Sequence, residues 1–188
     1  MRLWRLGYIP ADRKDRWGDV DVFLPRGVVI PGLVGSVPWY VKVRRPMDSP
    51  KYVHIKGSRP ALFGADYLQG KPDLALVEGE FDAILLCRLC GDALDVATFG
   101  SASDKDIRLW LPVLVNYGRI WIGLDADPAG QKAASAWLAR TRRARLLRVP
   151  EGFKDWTDCW KARGDSRLRE YILTAVQSNV MMEALNER

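Results

Sequence analysis

The sequence predicts an α/β chain: a parallel sheet built by a βαβαβαβ alternation, preceded by a small, mostly antiparallel β unit. Three observations predict it. From Leu74 onward, short apolar runs alternate with stretches of helical spacing, the pattern of strands joined by crossover helices. Before that point the apolar runs are short, β-branched and aromatic, and Pro-Gly signals separate them. Finally, 188 residues with 48% hydrophobic and 28% charged side chains form a globular composition that can bury one real core.

Each element follows from local pattern. Val20 to Phe23, Val28 to Ile30, Trp39 to Arg44 and Lys51 to Ile55 read as strands of the amino-terminal unit. Pro25-Arg26-Gly27, Pro31-Gly32 and the stretch from Pro46 to Pro50 punctuate them. Pro60 to Pro72 reads as a connector with a short helix near Ala65 to Leu68. Leu74 to Val77 is a buried-strand run, Phe81 to Cys90 a helix and Asp95 to Thr98 a strand. Ser103 and Asp106 read as the N-cap and N3 of a helix directed toward Tyr117, which Pro112 shortens or kinks. Ile120 to Leu124 is the next strand, Ala129 to Arg140 an Ala-rich helix, Leu146 to Val149 a last strand, and Arg167 to Leu185 a final helix. The expected organisation is a basic β-rich subdomain over residues 1–70, an α/β domain over 71–165 and a carboxy-terminal helix over 166–188.

Composition narrows the function classes. No apolar run approaches the roughly 18 residues of a membrane span, and the first ten residues lack the apolar core of a secretory signal. Three cysteines make no disulfide framework, so a soluble protein of a reducing, cytoplasmic compartment without a membrane partner is expected. With one histidine, a metal would have to be held by carboxylates, which favours Mg²⁺ or Mn²⁺ over Zn²⁺. Cys87 and Cys90 form a C-x-x-C without a second pair, in an apolar helical run, and read as core thiols.

The net charge of +6 has a direction. Lys, Arg and aromatic residues crowd the amino-terminal part, including Arg13, Lys14, Arg16, Trp17, Lys42, Arg44, Arg45, Lys51, Tyr52 and Lys56, whereas acidic residues concentrate between Asp73 and Asp158. A charge run is ordinarily a solvated face, but rings interleaved with cations offer stacking and phosphate contact together, as a single strand of nucleic acid requires.

Three acidic motifs fall at strand ends: Glu78-Gly79-Glu80-Phe81-Asp82, Asp125-Ala126-Asp127-Pro128-Ala129-Gly130, and Lys154-Asp155-Trp156-Thr157-Asp158. Ligands of an open α/β sheet bind beyond the carboxyl ends of its strands. Taken singly, each motif has a simpler reading. Asp127 could cap the following helix, Asp82 could be a first-turn acid favoured by the helix dipole, and Asp158 could be an ordinary helix-start acid. Together, carboxylates gathered at neighbouring strand ends repel one another unless a cation balances them.

These residues resemble a family. Glu78-Gly79-x-x-Asp82 followed by Asp125-x-Asp127-x-x-Gly130 is similar to the TOPRIM domain shared by bacterial-type primases, type IA and type II topoisomerases and certain nucleases. Val96 to Ser101, the Asp125 to Ala133 pattern, Lys154-Asp155-x-x-Asp158, and the basic segment with Pro50-Lys51-Tyr52 and Lys56-Gly57 resemble the DnaG-type primase branch. The resemblance implies a TOPRIM-like fold and nucleotidyl transfer on single-stranded DNA with nucleoside triphosphates and Mg²⁺ or Mn²⁺, a DNA-directed RNA polymerase of primase type. It implies Glu78 as general base or metal ligand, Asp125 and Asp127 as the metal-binding pair, and Asp82, Asp155 and Asp158 as further acidic residues near the metals. Lys42, Arg44, Arg45, Lys51, Tyr52 and Lys56 become the expected nucleic-acid or nucleotide contacts. Such primases carry an upstream zinc-binding domain that this sequence is expected to lack, so a separate zinc-binding domain or a replicative helicase joins the expected partners. A TOPRIM nuclease and a non-catalytic replication accessory module remain the alternatives.

Overall fold

A computed structural model describes residues 4–46, 49–100 and 107–186. The chain divides into two compact units, Met1–Asp66 and Tyr67–Arg188.

In the first unit, β1 (Gly7–Ile9), β4 (Gly27–Val34), β5 (Val37–Arg44) and β6 (Tyr52–His54) form an antiparallel sheet in the order β1-β4-β5-β6. β2 (Arg13–Trp17) and β3 (Val20–Leu24) form a separate hairpin. Alternation sends Val43 to the core with Ile9, Val22, Leu24 and Ile55. The β4–β5 turn uses Gly35 and Ser36, both with positive φ (60° and 65°), the conformation that a two-residue hairpin between right-twisted strands requires. The Asp66 carboxylate accepts from both turn amides, at 2.7 and 2.6 Å, which holds Ser36 in this costly region.

Neither β1 nor β2 was expected from the sequence. β1 is only three residues long. All five residues of β2 are exposed, so it carries no apolar alternation and is a strand only because β3 pairs with it.

The second unit is the predicted α/β alternation: β7 (Asp73–Val77), α1 (Glu80–Cys90), β8 (Asp95–Thr98), α2 (Ile107–Leu114), β9 (Arg119–Gly123), α3 (Pro128–Arg140), β10 (Ala144–Leu146) and α4 (Trp156–Asn186). Its sheet is parallel throughout, in the order β10-β9-β7-β8. β7 is central and wholly buried, which explains its continuous apolar run.

Three elements of this unit differ from the expected bounds by more than one residue, and in the first unit β4 runs on through Pro31 and Gly32, which were expected to end it. The last strand ends at Leu146, but Leu147 donates one more bond to the Ile122 carbonyl, at 3.0 Å, before Pro150 ends the pairing. α2 stops two residues after Pro112 instead of reaching Tyr117; the proposed start at Ser103 and Asp106 lies outside the described residues. The final helix begins at Trp156 and is broken at Gly164, whose φ of 75° no helical residue adopts. No helix among the described residues is long and apolar enough to cross a membrane.

The amino ends of the sheet are tightly compensated. Asp73 accepts from Arg119 Nε and Nη2 (2.7 and 3.0 Å) and from Trp121 Nε1 (2.8 Å). Burial pushes its pKa up, but these bonds outweigh burial and hold it below the usual range. Asp95 accepts from the amides of Gln69, Gly70 and Lys71 and from the Tyr117 hydroxyl.

Asp73→Ala should therefore take a buried carboxylate from the Arg119 guanidinium and leave the Trp121 indole N–H without its acceptor beneath the sheet. The expected loss is about 3 kcal/mol, the scale for removing one partner of a buried pair, read by urea unfolding; a loss under about 1 kcal/mol would show that Arg119 is solvated instead.

Candidate functional site

The parallel register of β7 against β9 aligns Val77 with Gly123, so Glu78 and Asp125 leave neighbouring strands at the same end of the sheet. The approach is direct: Glu78 Oε2 accepts from the Asp125 amide at 3.3 Å. The third strand end is tied in by Thr98, whose buried hydroxyl donates to the Glu78 carbonyl (2.8 Å) and accepts from the Gly100 amide (2.8 Å).

The other predicted acids sit on the helix starts around this point. Asp127 is the N-cap of α3, its Oδ1 accepting from the Gly130 amide at 2.8 Å, which is the capping role the local sequence allowed. Asp82 lies in the first turn of α1, and its Oδ1 accepts from both the amide (2.9 Å) and the hydroxyl (2.7 Å) of Thr157. Asp155 Oδ1 accepts from the Asp158 amide (2.6 Å), while Asp158 Oδ2 accepts from the Lys154 amide (3.3 Å), a reciprocal cap at the start of α4.

Electrostatics separates these acids. Burial raises the pKa of Asp125 to about 7, and the charges of Glu78, Asp82 and Asp155 add to the rise against a smaller opposing pull from Lys154. Glu78 is raised first by burial and then by Asp127, with the Asp125 amide and Lys154 pulling down. Asp82 is raised by burial, Asp155 and Glu78, and eased by Thr157. Glu78, Asp82, Asp125, Asp127 and Asp155 thus form one electrostatic group. Asp158 is exposed and engaged with backbone.

Among the described residues, no three carboxylate, histidine or cysteine side chains enclose an ion. The donor set still fits Mg²⁺ or Mn²⁺. It is all oxygen, it repels itself, and Mg²⁺ is ordinarily held by one or two carboxylates with waters and substrate phosphates completing its shell.

Residues 75–160 match the family model described as Toprim-like. In fold, the chain resembles the catalytic domains of DnaG-type primases. The primase fragment of the bacteriophage T7 primase-helicase protein superposes with a TM-score of 0.64 at 23% identity, over 86% of this chain and 66% of that one. The RNA polymerase domain of Mycobacterium tuberculosis primase DnaG gives 0.64 at 18%, over 87% and 60%. A DNA primase domain from Pseudomonas aeruginosa gives 0.61 at 22%, over 87% and 56%. This chain therefore spans under two thirds of these relatives' lengths. A search of the curated proteins finds no match.

Within the matched segment, sequence reasoning missed Thr98 and Thr157. Both stood inside quoted motifs, but as hydroxyls among carboxylates they carried no charge signal. Gly130 has a steric role: a Cβ there would lie 2.2 Å from the Asp125 carbonyl oxygen.

The nucleic-acid candidates belong to the amino-terminal unit. Arg44 and Tyr52 face one another across β5 and β6, and the same cross-strand row continues through Val28 to Tyr8, which is 59% exposed. The Lys51 ammonium lies 5.7 Å from the Tyr52 ring centroid. Lys51, Lys56 and Arg44 are exposed and Arg45 is half-buried. Lys42 is only 5% exposed, its ammonium 5.2 Å from the Tyr52 ring, so it meets the ring more than solvent.

Two outcomes follow. Gly130→Ala should push the Asp125–Asp127 turn open and cost about 2 kcal/mol or more, read as a lower urea midpoint; an unchanged midpoint would mean that the turn yields freely. Asp125→Asn removes a carboxylate whose pKa is raised by folding. Its ionisation opposes folding as pH rises from about 4 through about 7, so the variant should melt above wild type at pH 8 without metal. A gain of about 2 °C or more, vanishing below pH 4, is expected in calorimetric scans.

Proposed function

We propose that this chain is a primase-like catalytic core that joins nucleoside triphosphates on single-stranded DNA with Mg²⁺ or Mn²⁺. The observation that carries the reading is the meeting of Glu78 and Asp125 at adjacent strand ends, in a group of carboxylates that raise one another's pKa. A structural ion-pair network would neutralise such a group; among the described residues Lys154 offsets it only in part, which suits a site that receives cations with its substrate.

Glu78, Asp125 and Asp127 would hold the ion, with Asp82 and Asp155 next to them. The ion would neutralise the phosphate oxygens in the transition state. Glu78, with its raised pKa, is suited to accept a proton from the attacking hydroxyl. Lys154 offsets the carboxylate charge at Glu78 and Asp125. Arg44, Arg45, Lys51 and Lys56 would hold phosphates, Tyr52 would stack on a base, and Lys42 would support that ring. The Toprim-like family and the primase folds support this reading, and one neighbour is the M. tuberculosis domain in complex with double-stranded DNA. A replicative helicase or a separate zinc-binding domain is the proposed partner, in the cytoplasm, where replication proteins of this kind work.

The test is incubation with single-stranded DNA, labelled nucleotides and Mg²⁺ or Mn²⁺. Products longer than the label are expected; shortened DNA would make the chain a nuclease, and neither product would make it an accessory module. Glu78→Gln should cut synthesis by at least about 10²-fold while DNA binding persists. Lys51→Ala should instead weaken binding, whose logarithm should fall with salt at about −0.7 per phosphate contact. A folded Glu78→Gln protein with full activity would sink the assignment.

A further inference from the structure

The segment from Lys154 to Asp158 is bonded to both sides of the acidic site, at the Asp125–Asp127 turn and at Asp82. The Trp156 indole, fully buried, donates to the Gly123 carbonyl at 2.7 Å, two residues before Asp125. The Lys154 carbonyl accepts from the Ala126 amide at 2.8 Å, between Asp125 and Asp127. Thr157 then crosses to the other strand end, where its amide and hydroxyl converge on a single oxygen of Asp82, Oδ1. The second oxygen, Oδ2, lies on the side of Gly79, 3.5 Å from where a Cβ on that glycine would sit, next in the chain to Glu78.

Two donors on one oxygen stop the carboxylate from turning about its last side-chain bond. The other oxygen then keeps one direction. We propose that Thr157 is a positioning residue of the acidic site, its hydroxyl fixing the Asp82 carboxylate so that Oδ2 stays on the side of Gly79, the residue next to Glu78. This rests on the metal-dependent reading above and adds to it an uncharged side chain that acts through Asp82. The hydroxyl is the part that matters. The Thr157 amide would be satisfied by Asp82 in any variant, as a helix-start donor capped from outside its own helix, whereas Oγ1 supplies the second, direction-setting bond. Partners of this kind typically change metal affinity by about 10- to 100-fold when removed.

The experiment compares the full chain with Thr157→Val, which keeps the shape, and Thr157→Ser, which keeps the hydroxyl. Mn²⁺ affinity is read by electron paramagnetic resonance, melting is measured without metal, and nucleotide incorporation is resolved into kcat and KM. Thr157→Val should bind Mn²⁺ about 10-fold more weakly and lose kcat with the nucleotide KM unchanged. Thr157→Ser should stay within about twofold of wild type. Both should melt within a few degrees of each other. If Thr157→Val does not fold, Thr157→Ala carries the same comparison. Wild-type Mn²⁺ affinity in Thr157→Val would overturn the proposal, as would a Thr157→Ser as weak as Thr157→Val. A wild-type chain that binds Mn²⁺ but extends no strand would end the polymerase reading and leave the role of Thr157 to be decided by the binding series. A wild-type chain that binds no Mn²⁺ would overturn both.

Discussion

Like charges brought together at the ends of two paired strands are the constraint to which the rest of this molecule answers. The pairing of β7 with β9 brings the backbones that carry Glu78 and Asp125 to adjacent strand ends, since the buried parallel ladder stops just before each of them. The surrounding chain moderates the repulsion with small dipoles: the Asp125 amide on Glu78, the Gly130 amide on Asp127, and the Thr157 donors on Asp82. Lys154 contributes the nearby positive charge that acts on both Glu78 and Asp125. The arrangement tolerates the charge without abolishing it, as the proposed cation-receiving site requires.

The α/β alternation was legible because burial on both faces leaves continuous apolar runs, and because an acid directly after such a run has few structural uses. The bonds made by Thr98 and Thr157 could not be read, because a hydroxyl announces neither its donor nor its acceptor until distant strand ends are assembled. The buried position of Lys42 was hidden in a similar way. Its charge is plain in the sequence, but whether the ammonium meets water or the Tyr52 ring depends on the β5–β6 register, which sets Arg44 opposite Tyr52.

Register also explains what the amino-terminal unit adds. Tyr8, Val28, Arg44 and Tyr52 are scattered along the chain, yet they fall in one row because three antiparallel pairings align them. Neighbouring strands lie roughly 4.8 Å apart, so the row measures about 14 Å from ring to ring. Composition could announce rings and cations in this part of the chain, but not their order across a sheet. β2 was missed for the converse reason: all five of its side chains are exposed, and only its hydrogen bonds to β3 make it a strand.

The acids at the opposite end of the same sheet complete the picture. Asp73 is matched by a guanidinium and an indole, and Asp95 by three amides and a phenol. The strands therefore begin among carboxylates whose charge is absorbed locally and end among carboxylates whose charge is not. A small cation in the surrounding solvent therefore faces carboxylate charge that is matched at one end of the sheet and only partly offset at the other. Low-dielectric walls concentrate such a field, and capture then becomes quicker as ionic strength falls. Traffic to the acidic end is in this sense governed by how thoroughly the far end has been silenced.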